Sequence, residues 1–150
     1  WVDLGSSYLP SEVTAAFLFS QLEEAHLITN RRMGIWERYH AALKPLQKKG
    51  RIRCPIIPSH CAHNGHMYYL LLHDLDDRTQ FIEAMKTRGV NCAFHYSPLH
   101  NSPYGQKVTA THGLLEVTED LANRIVRLPL WVGLEDDQEL VIEAALGALS

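Results

Sequence analysis

The feature that most constrains the fold is a stretch of helical periodicity that runs from Pro10 to Gly50. About forty residues exceed the ~8–20 of a usual globular helix, so we expect a break between His26 and Asn30. Spacings of mostly three and four place apolar side chains on one side of a helix and predict a buried face on either side of that break. The apolar residues are Val13, Ala16, Phe17, Leu22, Ala25 and Ile28, followed by Met33, Trp36, Tyr39, Leu43 and Leu46.

The two ends of this stretch carry residues that favour helix termini. Ser11 follows a proline and is a suitable N-cap, since its hydroxyl can accept a hydrogen bond from the first turn. The Glu12 carboxylate comes next, where the helix dipole stabilises negative charge. Gly50 is expected just past the helical C-terminus, because glycine readily adopts the left-handed backbone that ends many helices.

Beyond Gly50 the sequence alternates between strand and helix patterns. A helix is predicted over 78–88, capped near Asp74 and stopped by Gly89, and the last helix over 136–149. Another helix is expected from Thr118 to about Val126, after a long loop over 97–113. The segments with strand character are 51–57, 67–73 and 90–96, with an extended stretch at 128–130. This order predicts an α+β fold in which helices pack on one face of a short sheet.

Composition excludes several classes of protein. The chain has 150 residues, 46% of them hydrophobic and 21% charged, which rules out a disordered segment. A net charge of −3 provides no positive field for nucleic acid or anionic lipid, so neither is expected as a partner. No apolar run approaches the ~18 residues that a membrane span needs. The chain opens at Trp1 without an initiator methionine, and we expect it to be a piece of a longer protein.

The cysteines and histidines suggest two alternative kinds of site. Cys92 lies three residues before His95, but residues three apart on a strand point to opposite faces, so a nucleophilic pair is not expected. Cys92 is therefore interpreted as a small core residue, and three unpaired cysteines fit a reducing cytosol. Zinc-type ligands crowd one loop without a matching pair elsewhere, so no metal is expected. These ligands are His60, Cys61, His63 and His66, with Cys54 upstream.

Two further segments are candidates for a binding site. Residues 4–10 place small hydroxyl side chains before a helix N-terminus, where hydroxyls and backbone N–H groups can hold a phosphate. A simple helix cap is the alternative interpretation of that segment. Residues 94–100 form a strand end that enters a rigid turn with Pro98, and strand ends of this kind often present side chains to a ligand. A purely structural turn is the alternative there.

Four segments, in order along the chain, resemble the sugar aminotransferases of the DegT/DnrJ/EryC1/StrS family. They are Gly5-Ser6-Ser7-Tyr8 leading to Ser11-Glu12, the helix from Arg31 to Tyr39, the turn from His95 to His100, and Arg127-Leu128-Pro129-Leu130. The resemblance covers essentially all of the chain. It implies that residues 1–150 are the small C-terminal domain of a fold-type I transferase, with its entering helix. Such a domain has a short, mostly antiparallel sheet packed with helices.

The resemblance also implies which residues form the site. The family usually carries Gly-x-Asn where this chain has Gly5-Ser6-Ser7, and the family asparagine reaches the phosphate of pyridoxal phosphate (PLP) in the neighbouring subunit. Ser7, with Ser6 beside it, is therefore expected to bind that cofactor. The residues expected beside the substrate are Tyr8, His95, Tyr96 and His100.

No lysine in this chain matches the Schiff-base motif of the family. The resemblance therefore implies that the catalytic lysine and the large domain lie upstream, and that this chain alone is inactive. The intact enzyme is expected to be a cytoplasmic homodimer that aminates a dTDP-4-keto-6-deoxyhexose, using an amino-acid donor, in cell-surface polysaccharide synthesis. The residues taken without the resemblance leave a second possibility open, a non-enzymatic α+β binding or interaction module.

Overall fold

The computed structural model describes residue 5 and residues 8–108 and 110–150. Over this part of the chain, helices precede, interrupt and follow a small sheet. The elements are α1 (Glu12–Glu23), α2 (Ala25–Lys48), β1 (Tyr68–Leu71), α3 (Leu75–Thr87), β2 (Ala93–Phe94), a 3-10 helix (Leu99–Asn101), α4 (Gly105–Val108), α5 (Glu116–Arg124), β3 (Ile125–Leu128) and α6 (Gln138–Ala148). The expected α/β class, with an antiparallel sheet packed with helices, is confirmed.

The sheet has the order β1-β3-β2, and both pairings are antiparallel. In its register, Val126 of the central strand lies opposite Leu70 on one side and Phe94 on the other. Directly opposite residues share a face of the sheet. One face is buried through Tyr68, Leu70, Val126 and Leu128. The opposite face carries Tyr69, Ala93 and Arg127.

Several strand predictions need correction. Within 51–57, Arg53 alone forms a bridge, to Leu71, because Pro55 and Pro58 follow it and a proline cannot donate to a ladder. Within 90–96, pairing is limited to the two residues of β2. The helix expected to reach Val126 ends at Arg124, since the following residues form the central strand.

The core lies between the buried face of the sheet and three helices. Helix α2 contributes Ile35, Trp36, Tyr39 and Leu43, while α3 and α6 contribute Phe81, Met85, Val141, Ile142, Ala144 and Ala145. Two buried polar groups are satisfied in this core. The Tyr39 hydroxyl donates to the Pro129 carbonyl at 2.9 Å, and Gln138 Nε2 donates to the Ile35 carbonyl at 2.6 Å.

The first helical face behaves differently from the prediction. The break falls at Glu24, just before the expected interval, and separates α1 from α2. No residue of α1 is buried, so the interpretation of Val13, Phe17 and Leu22 as core is wrong for this chain. Their apolar side chains face solvent because no described element covers them. None of the described helices combines the length and hydropathy that a membrane span needs.

The caps, by contrast, occur where the sequence predicts them. Ser11 Oγ accepts a hydrogen bond from the Thr14 amide at 3.3 Å, and Asp74 Oδ1 accepts one from the Asp77 amide at 2.9 Å. Gly50 and Gly89 follow α2 and α3 with φ of +75° and +79°. These local rules hold because each depends on a few neighbouring residues only.

Candidate functional site

The candidate site begins where β2 ends and the chain turns away from the sheet. Tyr96 has φ of +64°, a left-handed conformation that costs a non-glycine residue about 1–3 kcal/mol. Pro98 then leads into the 3-10 helix, which presents His100. Strain of this kind persists only where the surroundings fix the turn, and it is common at functional sites.

A close backbone approach fixes the far side of this turn. A Cβ atom on Gly105 would overlap the Leu99 carbonyl oxygen and lie 2.7 Å from Ser102 Oγ. Ser102 Oγ accepts a hydrogen bond from the Gly105 amide at 2.9 Å and donates one to the Leu99 carbonyl at 2.8 Å. The 3-10 helix and α4 are thereby held together, and His100 of the 3-10 helix has a defined position.

His100 is held by an acidic side chain of another element. Its Nε2 donates to Glu119 Oε1 at 3.2 Å, and Asn101 Nδ2 donates to the same oxygen at 3.1 Å. Hydrogen bonds from Asn101 and His100 hold the pKa of Glu119 below its usual value, so this carboxylate stays ionised. These three residues line a cavity of about 340 Å³, together with Gln106, Gly113 and Leu115.

The structure brings together only some of the expected substrate residues. The His95 and Tyr96 rings are 5.6 Å apart, and His95 Nδ1 is buried with no hydrogen-bond partner in the described chain. Tyr96 is 72% exposed, and Tyr8 is 91% exposed ahead of α1. Ser6 and Ser7 lie outside the described residues. The turn therefore presents His95, Tyr96 and His100 from one segment, while Tyr8 packs little against the rest of this chain.

Sequence reasoning missed the partners of His100. Glu119 lies on α5, well separated along the chain, and it reaches the turn because α5 is attached to the sheet. Arg124 at the end of α5 donates to the Leu72 carbonyl at 2.9 Å, and Arg78 of α3 donates to the Ala122 carbonyl at 2.8 Å. No spacing in the sequence signals a pairing that depends on how α5 docks.

The alternative sites do not assemble. Burial raises the pKa of the Cys92 thiol to about 12, which leaves it protonated and a poor nucleophile. In the histidine-rich loop, His63 Nδ1 accepts from the Gly65 amide at 3.2 Å, and its ring packs on Trp36 at 5.0 Å. Across the described residues, no three Cys, His, Asp or Glu side chains are placed to hold a metal ion.

The lysines test whether this chain could anchor PLP covalently. They are Lys44, Lys48, Lys49, Lys86 and Lys107, and every one is exposed. None of them lines a cavity described above, whereas a covalent cofactor needs a lysine inside a shielded pocket. The chain therefore does not fit the covalent part of a PLP site. The buried His95 Nδ1 has no hydrogen-bond partner in the described chain, so it is available for a hydrogen bond to a cofactor and not for a covalent link.

Comparison with known proteins covers nearly the whole chain. The sequence model of the DegT/DnrJ/EryC1/StrS aminotransferase family matches residues 2–146. Uncharacterized protein MJ1066 of Methanocaldococcus jannaschii is 28% identical in an alignment 150 positions long, which covers 97% of this chain and 38% of that protein. The dTDP-4-dehydro-2,3,6-trideoxy-D-glucose 4-aminotransferase of Saccharopolyspora spinosa is 28% identical over 134 residues, 89% of this chain and 33% of that enzyme.

Solved structures extend the likeness to three dimensions. The aminotransferase TlmJ of Streptoalloteichus hindustanus superposes with a TM-score of 0.85 at 27% identity, over 99% of this chain and 39% of that one. PseC of Helicobacter pylori, an aminotransferase of pseudoaminic acid biosynthesis, superposes with a TM-score of 0.83 over 98% of this chain and 39% of its own, and at 20% identity it shows the fold alone. The chain spans between a third and two fifths of the length of these relatives. Because the family model matches almost every residue, this chain belongs to the DegT/DnrJ/EryC1/StrS aminotransferase family.

Proposed function

We propose that this chain is the C-terminal part of a PLP-dependent nucleotide-sugar aminotransferase. Its substrate is a dTDP-4-keto-6-deoxyhexose, which receives an amino group from an amino-acid donor in cell-surface polysaccharide synthesis such as that of enterobacterial common antigen. Family membership supports the reaction class, and a 28% identical relative carries the name of an aminotransferase acting on a dTDP-4-keto sugar. The observation that carries the proposal is the fixed turn that places His100 beside a cavity and leaves Tyr96 exposed in the same segment.

In this proposal the chain lines part of the substrate pocket, and the lysine that reacts with PLP belongs to the upstream domain. PLP supplies the electron sink for amino transfer when it is bound. His100, with its proton on Nε2 while it bonds the Glu119 carboxylate, presents a fixed ring edge to the sugar. Tyr96 projects into solvent in this chain, so its hydroxyl is free to contact a substrate carried by the upstream domain.

The exposed apolar side chains of α1 support a larger assembly. Phe17, Leu18 and Phe19 follow one another, so apolar groups surround much of the helix, a pattern typical of buried helices. We propose that the upstream large domain and the second subunit of a cytoplasmic homodimer cover this helix. Ser7, with Ser6, would then lie near the interface and donate a hydrogen bond to the cofactor phosphate.

The deciding experiment uses the intact enzyme. His100→Ala and Tyr96→Phe should each lower kcat/KM for the nucleotide sugar by about 5- to 150-fold, the equivalent of about 1–3 kcal/mol, with little change in PLP affinity. The matched control is His73→Ala, which removes an exposed histidine that is bonded to Asp74 and does not line the cavity beside His100. Unchanged kcat/KM in both site variants would mean that the turn does not contact the substrate and has a structural role only.

Two further measurements test the assignment of the chain itself. This chain without the upstream domain should show neither amino transfer nor the absorbance of a covalently bound PLP. In the intact enzyme, Ser7→Ala should weaken PLP binding by roughly one to two orders of magnitude, and Ser7→Asn should restore it. An intact protein that binds no PLP and transfers no amino group would favour a non-enzymatic α+β interaction module.

A further inference from the structure

A second, smaller cavity lies at the end of the sheet where β1 and β2 begin and β3 ends. Its volume is about 210 Å³. Polar groups are supplied by His66, Asn91 and Arg127, and no Asp or Glu is among the described residues that line it. The cavity is distinct from the one beside His100, with which it shares no lining residue.

Arg127 is the charged group of this cavity, and the sheet register places it there. It lies opposite Tyr69 of β1 and Ala93 of β2, so its side chain is on the face of the sheet away from the helical core. Its Nε atom is buried and has no hydrogen-bond partner in the described chain. A donor that is shielded from water and unpaired costs about 1–3 kcal/mol, and more when it is charged.

The neighbouring arginines show how unusual this is. Arg124, the last residue of α5, bonds the Asp120 carboxylate at 2.8 Å, and Arg51 bonds both oxygens of Asp77 at 2.6 and 2.7 Å. Arg78 also has a buried unpaired Nε, but it donates through its NH1 to the Ala122 carbonyl. Among the described residues, Arg127 alone combines a buried, unpaired guanidinium nitrogen with the absence of any acceptor.

We propose that Arg127, together with Asn91 and His66, forms an oxyanion subsite. A planar guanidinium matches a carboxylate or a phosphate through two parallel hydrogen bonds, and the Asn91 amide adds a donor of the same kind. The volume is below the ~300–1,000 Å³ of pockets that enclose a drug-sized ligand, so it accommodates one anionic group rather than a whole nucleotide sugar. Anion binding at this subsite does not depend on the aminotransferase assignment.

If the proposed function holds, the anion belongs to one of two substrates. One source is the carboxylate of the amino donor, and the other is the diphosphate of the nucleotide sugar. Both present the same oxyanion chemistry to Arg127. The probes that separate them are L-glutamate and thymidine diphosphate, each titrated into the intact protein and followed by saturation-transfer NMR on the probe.

Arg127→Gln should weaken binding of one of these probes by tenfold or more, and the probe affected identifies the source. The matched control is Arg53→Gln, which removes an exposed arginine that bridges Leu71 and does not line this cavity, and it should leave both affinities unchanged. If Arg127→Gln does not fold, Arg127→Lys decides, since it keeps the charge, loses the paired geometry and should still weaken binding several-fold. Unchanged affinity for both probes in the folded variant would overturn the subsite. If the unmodified protein bound a probe through Arg127 but transferred no amino group, the result would count against the proposed function and not against the subsite.

Discussion

Helices α1 and α2 are consecutive in the chain and similar in apolar spacing, but they differ completely in burial. Leu43 of α2 is 0% exposed, whereas Leu22 of α1 is 61% exposed. Helix α2 packs on Tyr68 of β1 and on α6, and its Tyr39 hydroxyl bonds the backbone beyond β3. A periodic apolar pattern therefore predicts that a helix needs a partner, but not that the partner is in the same chain.

Truncation of one leucine in each helix gives the sharpest test of that difference. Leu43→Ala should lower the free energy of unfolding of this chain by about 2–5 kcal/mol, because it opens a cavity in the core. Leu22→Ala should change it by about 0.5 kcal/mol or less, since the side chain is already in water. Denaturant titration of both variants provides the comparison. Equal losses would mean that α1 packs against the domain in solution.

The same contrast shows which parts of the structure a sequence can predict. Ser11, Asp74 and the two helix-ending glycines were identified correctly, because a cap depends on residues within one turn. The central strand β3 was missed, because Val126 continues a helical pattern and its strand state depends on distant partners Leu70 and Phe94. In the candidate site, the turn itself was found from its proline and histidines.

The contacts of His100 in that turn, and those of Arg127 at the other cavity, could not be predicted in the same way. The hydrogen bond from His100 to Glu119 and the unpaired Nε of Arg127 both arise from how separate elements pack. Strand alternation indicates that Arg127 lies on the face opposite Val126, but not that the cavity beside it lacks a carboxylate. The sequence therefore indicated which side chains the turn carries, whereas the groups that pack against them could not be predicted from it.

A second test concerns the loop that packs on α2 and has no counterpart on α1. Gly65 has φ of +59°, and a Cβ there would lie 2.9 Å from the Arg32 carbonyl carbon. Gly65→Ala should therefore destabilise the chain by about 3 kcal/mol, through backbone strain and displacement of the helix.

Gly34→Ala is the matched control for this loop, because Gly34 lies within α2 with open space around it. Alanine is the better helix former, so this variant should stabilise the chain by up to about 1 kcal/mol. Thermal unfolding of both variants should show a lower midpoint temperature for Gly65→Ala and an equal or higher one for Gly34→Ala. A neutral Gly65→Ala would show that the loop does not restrain α2.

The third test addresses how the far end of α2 is attached. Arg51, just beyond α2, bonds Asp77 of α3 and donates to the Leu149 carbonyl at 3.3 Å, so it joins three helices. The hydrogen bonds from Arg51 lower the pKa of the Asp77 carboxyl. Asp77→Asn should cost about 2 kcal/mol at neutral pH, because it removes a charged acceptor from a partly buried pair.

The pH dependence of the same pair has a definite sign. An aspartate in the unfolded chain has a pKa of ~3.9, and the folded value at Asp77 is lower. The stabilisation is therefore complete well above pH 4 and is lost as the pH falls through the folded pKa. Asp77→Asn should show a smaller loss of stability between pH 6 and pH 2 than the unmodified chain. Glu139→Gln, which breaks the exposed pair with Arg38, is the control and should leave that slope nearly unchanged.

The smallest expected effect comes from the two N-caps. They have the same geometry, but one begins the exposed helix α1 and the other begins α3, which is packed in the core. Ser11 caps α1 and Asp74 caps α3, each by accepting a hydrogen bond from a backbone amide three residues on. Asp74→Ala should lower the global stability, because α3 unfolds together with the core through Phe81 and Met85. Ser11→Ala should instead accelerate hydrogen exchange of the α1 amides alone, since an uncovered helix opens without the rest of the domain. If Ser11→Ala lowered protection in α2 and the sheet as well, α1 would be part of the cooperative unit. Its exposed apolar face would then be stabilised from within this chain.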